Sequence, residues 1–89
     1  MSLPKSWDLQ VDPGIYKFIK QAPRRDAEAI LRVIKLLPFN PYFSDIQKIN
    51  GEKDVWRRRI GSYRILYRIK VVESIILVFK VERRASKSY

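Results

Sequence analysis

The chain has 89 residues, with 19 Lys and Arg against 9 Asp and Glu, no His and no Cys, for a formal net charge of +10. That length fits one domain with one modest core, and 46% apolar residues, 12% of the chain being aromatic, is too many for a disordered polyelectrolyte. The missing cysteine excludes disulfides, thiolate nucleophiles and Cys-type zinc sites; the missing histidine removes the commonest general base, any Ser-His-Asp triad and the commonest metal ligand.

Trp7, Leu9 and Val11 alternate with Asp8 and Gln10, the period-2 pattern of a first strand. Asp12 then Pro13 reads as an N-cap followed by a first-turn proline, and Ile15, Phe18, Ile19 and Ala22 give the i, i+3, i+4, i+7 spacing of a short amphipathic helix. Pro23 ends it and opens a second helix, whose apolar stripe is Ala27, Ile30, Leu31, Ile34 and Leu37; the short link predicts an antiparallel pair. Pro38, Asn40 and Pro41 stop that helix. Tyr42 to Asn50 reads as irregular, anchored by Ile46 and Ile49, and Gly51 marks a turn. Three strand-like runs follow, Val55 to Ile60, Tyr63 to Lys70 and Ser74 to Val81, with Gly61-Ser62 as a tight hairpin turn and Glu82 to Tyr89 as a basic tail.

The order β-α-α-β-β-β predicts an α+β fold in a single domain, residues 1–89: a small, mostly antiparallel sheet with the N-terminal helix pair packed on one face. The longest apolar runs, such as Ile75 to Phe79, fall far short of the ~18–20 residues that span a bilayer. With no apolar h-region in the first twenty residues, the chain is expected in the cytoplasm, away from membranes.

The positive charge is uneven. Residues 1–51 carry a net +3 and residues 52–89 a net +7. Such clustering predicts a polyanionic partner. In Trp56-Arg57-Arg58-Arg59-Ile60, alternation sends Trp56 and Ile60 to the helix-covered face, so Arg57 and Arg59 project from the other, ~6.6–7 Å apart, close to the step between phosphates of an extended single strand. With Tyr63, Ile65, Tyr67 and Ile69 facing the helices, Arg64 joins them. Arg58 is the misfit: parity puts it on the covered face, where it must snorkel out, pair with an acid or mark a bulge. Ile75, Leu77, Phe79 and Val81 share one parity, and Trp7 and Phe79 are assigned to the core. The carboxylates show no metal-ligand spacing and Ser62 and Ser86 no base partner, so no metal or other cofactor and no serine nucleophile is expected.

Lys48-Ile49-Asn50-Gly51, then Val55-Trp56-Arg57-Arg58-Arg59-Ile60-Gly61-Ser62-Tyr63-Arg64-Ile65-Leu66-Tyr67, then Val81-Glu82-Arg83-Arg84 before Tyr89, resembles the RelE/ParE toxin superfamily, as do the length and element order. The resemblance implies the toxin of a type II toxin–antitoxin system: a metal-independent endoribonuclease that cleaves mRNA on the ribosome and is held by a RelB-like antitoxin. The ribose 2′-hydroxyl would attack the adjacent phosphate, giving a 2′,3′-cyclic phosphate and a free 5′-hydroxyl. Carried onto this sequence, the catalytic set is Arg59, Arg64, Arg84 and Tyr89, with Arg57, Arg83 and Lys87 binding RNA. Arg64 would meet the scissile phosphate, Arg84 the phosphate or leaving oxygen, and Tyr89 a base. A guanidinium offers no acceptor and is a poor general base, so either Arg59 acts as an electrostatic group while the ribosome orients the 2′-hydroxyl, or catalysis is slow. The alternatives are a ParE-like toxin that inhibits DNA gyrase by binding it, and a member that only binds RNA or its antitoxin.

Overall fold

A computed structural model describes residues 7–43 and 46–83. Its elements run β1 (Asp8–Val11), α1 (Pro13–Gln21), α2 (Arg24–Leu36), β2 (Ile46–Lys48), β3 (Val55–Ile60), β4 (Tyr63–Lys70) and β5 (Ile75–Arg83). The five strands form one sheet in the order β1-β5-β4-β3-β2, antiparallel except that β1 lies parallel to β5. This is the α+β architecture expected, with one strand more. Ile46–Lys48, read as irregular, pairs with Trp56 to Arg58 as a short edge strand; three residues are too few for period 2 to show in sequence.

Local chemistry sets the element ends. Asp12 caps α1, its Oδ1 accepting the Gly14 N–H at 2.8 Å, with Pro13 in the first turn. No side chain caps α2; Asp26 lies in its first turn, where a carboxylate favours the helix dipole, and accepts the Tyr63 hydroxyl at 2.8 Å. Gly61 takes φ +55° at the first position of the β3–β4 turn, a conformation L side chains resist. The β4–β5 turn ends one residue later than expected: Ser74 sits at φ +59° and donates its N–H to the Val71 carbonyl, so β5 starts at Ile75. At its other end β5 runs on to Arg83, because Glu82 and Arg83 still pair with Arg64 and Tyr63; these two residues are strand and not tail.

The core lies between the helix pair and one face of the sheet. Ile15, Ile19, Ile30, Val33, Ile34 and Leu37 from the helices meet Tyr63, Ile65, Tyr67, Ile69, Ile76, Val78 and Val81 from β4 and β5, with Leu9 and Val11 of β1 packed alongside. Tyr67, at 0% exposure, donates its hydroxyl to the Pro41 carbonyl at 2.7 Å, tying the turn after α2 to the middle of the sheet. Burial pushes its phenol pKa up from 10.0 to about 12.

Below pH 10 the phenol is neutral folded or unfolded; between pH 10 and 12 only the unfolded chain ionises it, so its contribution to stability is lost as pH rises through that window. Tyr67→Phe is expected to cost about 1–2 kcal/mol at pH 8 by urea denaturation, because the Pro41 carbonyl loses its donor. Its unfolding free energy should then fall less steeply than wild type above pH 10, by on the order of 2 kcal/mol across the window. Parallel pH profiles would contradict this account.

Candidate functional site

Side chains alternate between the faces of a strand, and residues paired across an antiparallel ladder share a face. Tyr63, Ile65, Tyr67 and Ile69 are buried beneath the helices, so Arg64, Leu66, Arg68 and Lys70 occupy the open face. The β3–β4 register pairs Arg59 with Arg64 and Arg57 with Leu66, which brings Arg57, Arg59 and Arg64 onto that face together. Directly paired Cα atoms lie ~4.5–5.5 Å apart, so Arg59 and Arg64 are like charges in cross-strand contact range. From β5 the register adds Lys80, opposite Leu66, and Glu82, opposite Arg64.

Glu82 is the one carboxylate on the part of this face built by β3, β4 and β5. It sits 3.4 Å from Arg64 Nη1 through Oε2 and 3.4 Å from Lys80 Nζ through Oε1. Arg57 donates through Nη2 to Gln47 Oε1 on β2. Arg59 is exposed and has no ion pair among the described residues, and Arg64 Nε is buried without a hydrogen-bond partner among them. Arg68, farther along the face, donates to the Lys53 carbonyl at 3.2 Å, lies 3.9 Å from Glu52 and stacks over Phe79 with Cζ 5.7 Å from the ring centroid. Arg57, Arg59 and Arg64 thus gather guanidinium donors around one carboxylate, Glu82, an arrangement that suits an extended chain of phosphates.

Of the residues picked from sequence, Arg57, Arg59 and Arg64 thus come together. Arg83 does not. It pairs with Tyr63, so it lies on the helix side, where it lines a cleft of about 220 Å³ with Phe18, Gln21, Ala22 and Pro23. Arg84, Lys87 and Tyr89 lie outside the described residues. Arg58 is on the covered face, paired with Ile46 and Ile65; its guanidinium stacks 5.9 Å from the Phe43 ring centroid, and its Nε is buried with no hydrogen-bond partner among the described residues. Neither an acid nor a bulge resolves that misfit; an aromatic ring does.

Sequence reasoning missed Lys80 and Glu82. The eight-residue length of β4 signals that β5 must continue past Val81 to pair with it. Phe79, assigned to the core, is a half-buried residue of the open face: it shares the parity of Leu77, which pairs with Arg68, and next to it the β4–β5 register shifts by one between Leu66 and Tyr67. That shift also breaks the single parity expected of Ile75, Leu77, Phe79 and Val81, since Ile76, Val78 and Val81 are the buried ones.

A family model described as the ParE toxin of type II toxin–antitoxin systems, parDE, matches residues 13–87. The chain belongs to this family. It is a toxin of a type II toxin–antitoxin system, within the wider RelE/ParE superfamily. RelE1 of Methanocaldococcus jannaschii is 27% identical over 81 residues, covering 88% of this chain and 90% of that protein. Among solved structures, RelE in the archaeal RelE–RelB complex from Pyrococcus horikoshii superposes with a TM-score of 0.79 at 21% identity, over 92% of this toxin and 99% of that chain. The isolated RelE toxin of E. coli gives 0.77 at 15% identity, over 92% and 88%. At such identities the structural likeness is one of fold.

The Glu82 pairs are each a third or more exposed, so removing the carboxylate should matter little to folding and more to charge. Glu82→Gln is expected to change the toxin's stability by less than about 1 kcal/mol in urea. It should raise the salt concentration that elutes the protein from heparin, because Arg64 and Lys80 lose their internal negative charge. Unchanged elution would mean that this face does not govern polyanion binding.

Proposed function

We propose that the toxin is a ribosome-dependent endoribonuclease that cleaves mRNA without a metal, its open face binding the strand. The observation that carries this reading is the placement of Arg57, Arg59 and Arg64 on one face of two paired strands, with Glu82 the one carboxylate that β3, β4 and β5 place on it among the described residues. The 2′-oxygen forms a bond to the adjacent phosphorus as the bond to the 5′-oxygen breaks. Negative charge gathers on the phosphate oxygens, and preset guanidinium donors aimed there stabilise it. Arg64 takes the scissile phosphate and Arg57 the flanking backbone. Arg59 acts through charge alone, because a guanidinium offers no acceptor; the 2′-hydroxyl proton passes to solvent, which also protonates the leaving 5′-oxygen, while the ribosome orients the hydroxyl. Arg83 faces the helices, so of the arginine pair Arg84 is the one we assign to the leaving oxygen, with Tyr89 stacking on a base.

The partner that restrains the toxin is a RelB-like antitoxin. Support comes from the Pyrococcus horikoshii relative, whose structure is that of a RelE–RelB complex. We expect its segment over the arginine face to be acidic, because covering these cations with apolar groups would leave them desolvated and unpaired. We place the toxin in the cytoplasm, where ribosomes are; no helix among the described residues is long and apolar enough to cross a membrane.

A second reading, inhibition of DNA gyrase by binding, is favoured by the ParE family match over residues 13–87. One experiment separates the two. The purified toxin is added to a translation extract and mRNA 5′ ends are mapped by primer extension. New ends at the ribosomal A site are expected with wild type, reduced roughly 100-fold or more by Arg64→Ala and further by Arg64→Ala with Arg84→Ala. No new ends, or undiminished cleavage by the double variant, would refute the nuclease reading. A loss of gyrase supercoiling activity in a parallel reaction would establish the second.

A further inference from the structure

The β4–β5 ladder holds a β-bulge. Leu66 opposes Lys80 and Tyr67 opposes Val78, which leaves Phe79 as the extra residue on β5. Unbroken alternation from the buried pair Ile76 and Val78 would carry Lys80 under the helices and turn Val81 outward. With the bulge, Val81 returns to the core and Lys80 to the open face. Phe79 goes with Lys80: its ring lies under the guanidinium of Arg68, an open-face residue by its pairing with Leu77. The ring is half-buried, and it borders a cleft of about 180 Å³ that reaches the first turn of α1 at Gly14 and Ile15.

Its position across the sheet matters. Arg57 pairs with Leu66, and Leu66 faces the bulge, so one row runs from Arg57 through Leu66 to Phe79 and Lys80. Two inter-strand steps of about 4.8 Å separate the ends of that row, roughly 10 Å. An extended RNA strand offers two surfaces, phosphates on one side and unstacked bases splayed on the other. Cations along β3 and β4 meet the first, and an aromatic ring on β5 meets the second. A guanidinium stacked on the ring holds it in place and extends the flat surface.

We propose that Phe79, backed by Arg68, is the stacking platform for one base of the single-stranded RNA whose phosphates run along Arg57, Arg59 and Arg64. This rests on the reading of the open face as an RNA surface and adds a base-contacting residue to it. Base–aromatic stacking is sequence-tolerant, so Phe79 contributes affinity and register more than base identity.

The test compares two 5′-fluorescein-labelled probes by fluorescence anisotropy at low salt: an oligoadenylate RNA octamer and an abasic ribose-phosphate octamer of the same length. The wild-type toxin should bind the octamer more tightly. Phe79→Ala should weaken octamer binding roughly 5- to 100-fold, the range for losing one stacked base. It should leave abasic binding unchanged, while Phe79→Tyr keeps wild-type affinity for both. Phe79→Leu retains branched apolar bulk beside Leu77 without a π face, so it should match Phe79→Ala while melting within a few degrees of wild type, which guards against misfolding. Arg57→Ala should weaken both probes alike and lower the salt slope by about 1. Equal losses on the two probes from Phe79→Ala, no loss at all, or equal wild-type affinity for the two probes would overturn the stacking role and leave a backbone-binding face standing. Failure of the wild type to bind either probe would overturn the RNA reading, and the platform with it.

Discussion

Two short helices can cover one face of a five-stranded sheet and not both, and β4 carries the consequence through its whole length. Four of its side chains, Tyr63, Ile65, Tyr67 and Ile69, are buried to 5% exposure or less, and the four between them face away from the core. Every pairing made by β4 transmits that division to its neighbours. It sends Trp56 and Ile60 inward on β3 and Arg57 and Arg59 outward, and on β5 it sends Val81 inward and Glu82 outward. The tyrosines fix the division in space, since Tyr63 reaches Asp26 at the start of α2 and Tyr67 reaches Pro41 beyond its end. The helices are thus fastened to the strand whose other edge arms the open face.

Placing cations together on that face has a cost. Arg59 and Arg64 oppose each other directly, and like charges in that relation destabilise a sheet by tenths of a kcal/mol to about 1. Solvent moderates the cost for exposed Arg59, Gln47 holds Arg57 with a neutral acceptor, and Glu82 is divided between Arg64 and Lys80. None of these partners neutralises the cluster. A polyanion that displaced water there would gain what the fold leaves uncompensated. Arg58 marks the contrast. On the covered side Arg58 is half-buried, and its guanidinium is accommodated against the ring of Phe43.

How much of this could be read in the sequence depends on period. The strong alternation of Tyr63 to Lys70, the capped start of α1 at Asp12 and the apolar stripe of α2 each state their structure locally, and they set the α+β fold and the faces of Arg57, Arg59 and Arg64. What stayed hidden has no local signature. Ile46–Lys48 is strand only because β3 lies beside it. Glu82 and Arg83 look like a polar tail until the length of β4 demands partners for Arg64 and Tyr63. Ile75 to Phe79 is apolar at every position, so its facing is decided by its pairing with β4, which composition does not show. The motif that carries the family resemblance was legible for the same reason as β4: its spacing is that of a strand pair around a two-residue turn.

The bulge at Phe79 is where these constraints meet. A regular β5 could satisfy the core through Ile76 and Val78, or through Val81, but not through all three, because two residues lie between Val78 and Val81 and a shared face requires one of them to be left out of the ladder. The inserted residue resolves the conflict and keeps a continuous buried row under α1 and α2. Its by-product is Lys80, brought to the open face beside Phe79 and in line with Arg57. An irregularity required by core packing on one side of the sheet therefore alters what the other side can bind, and the two faces of the toxin are coupled through a single backbone residue.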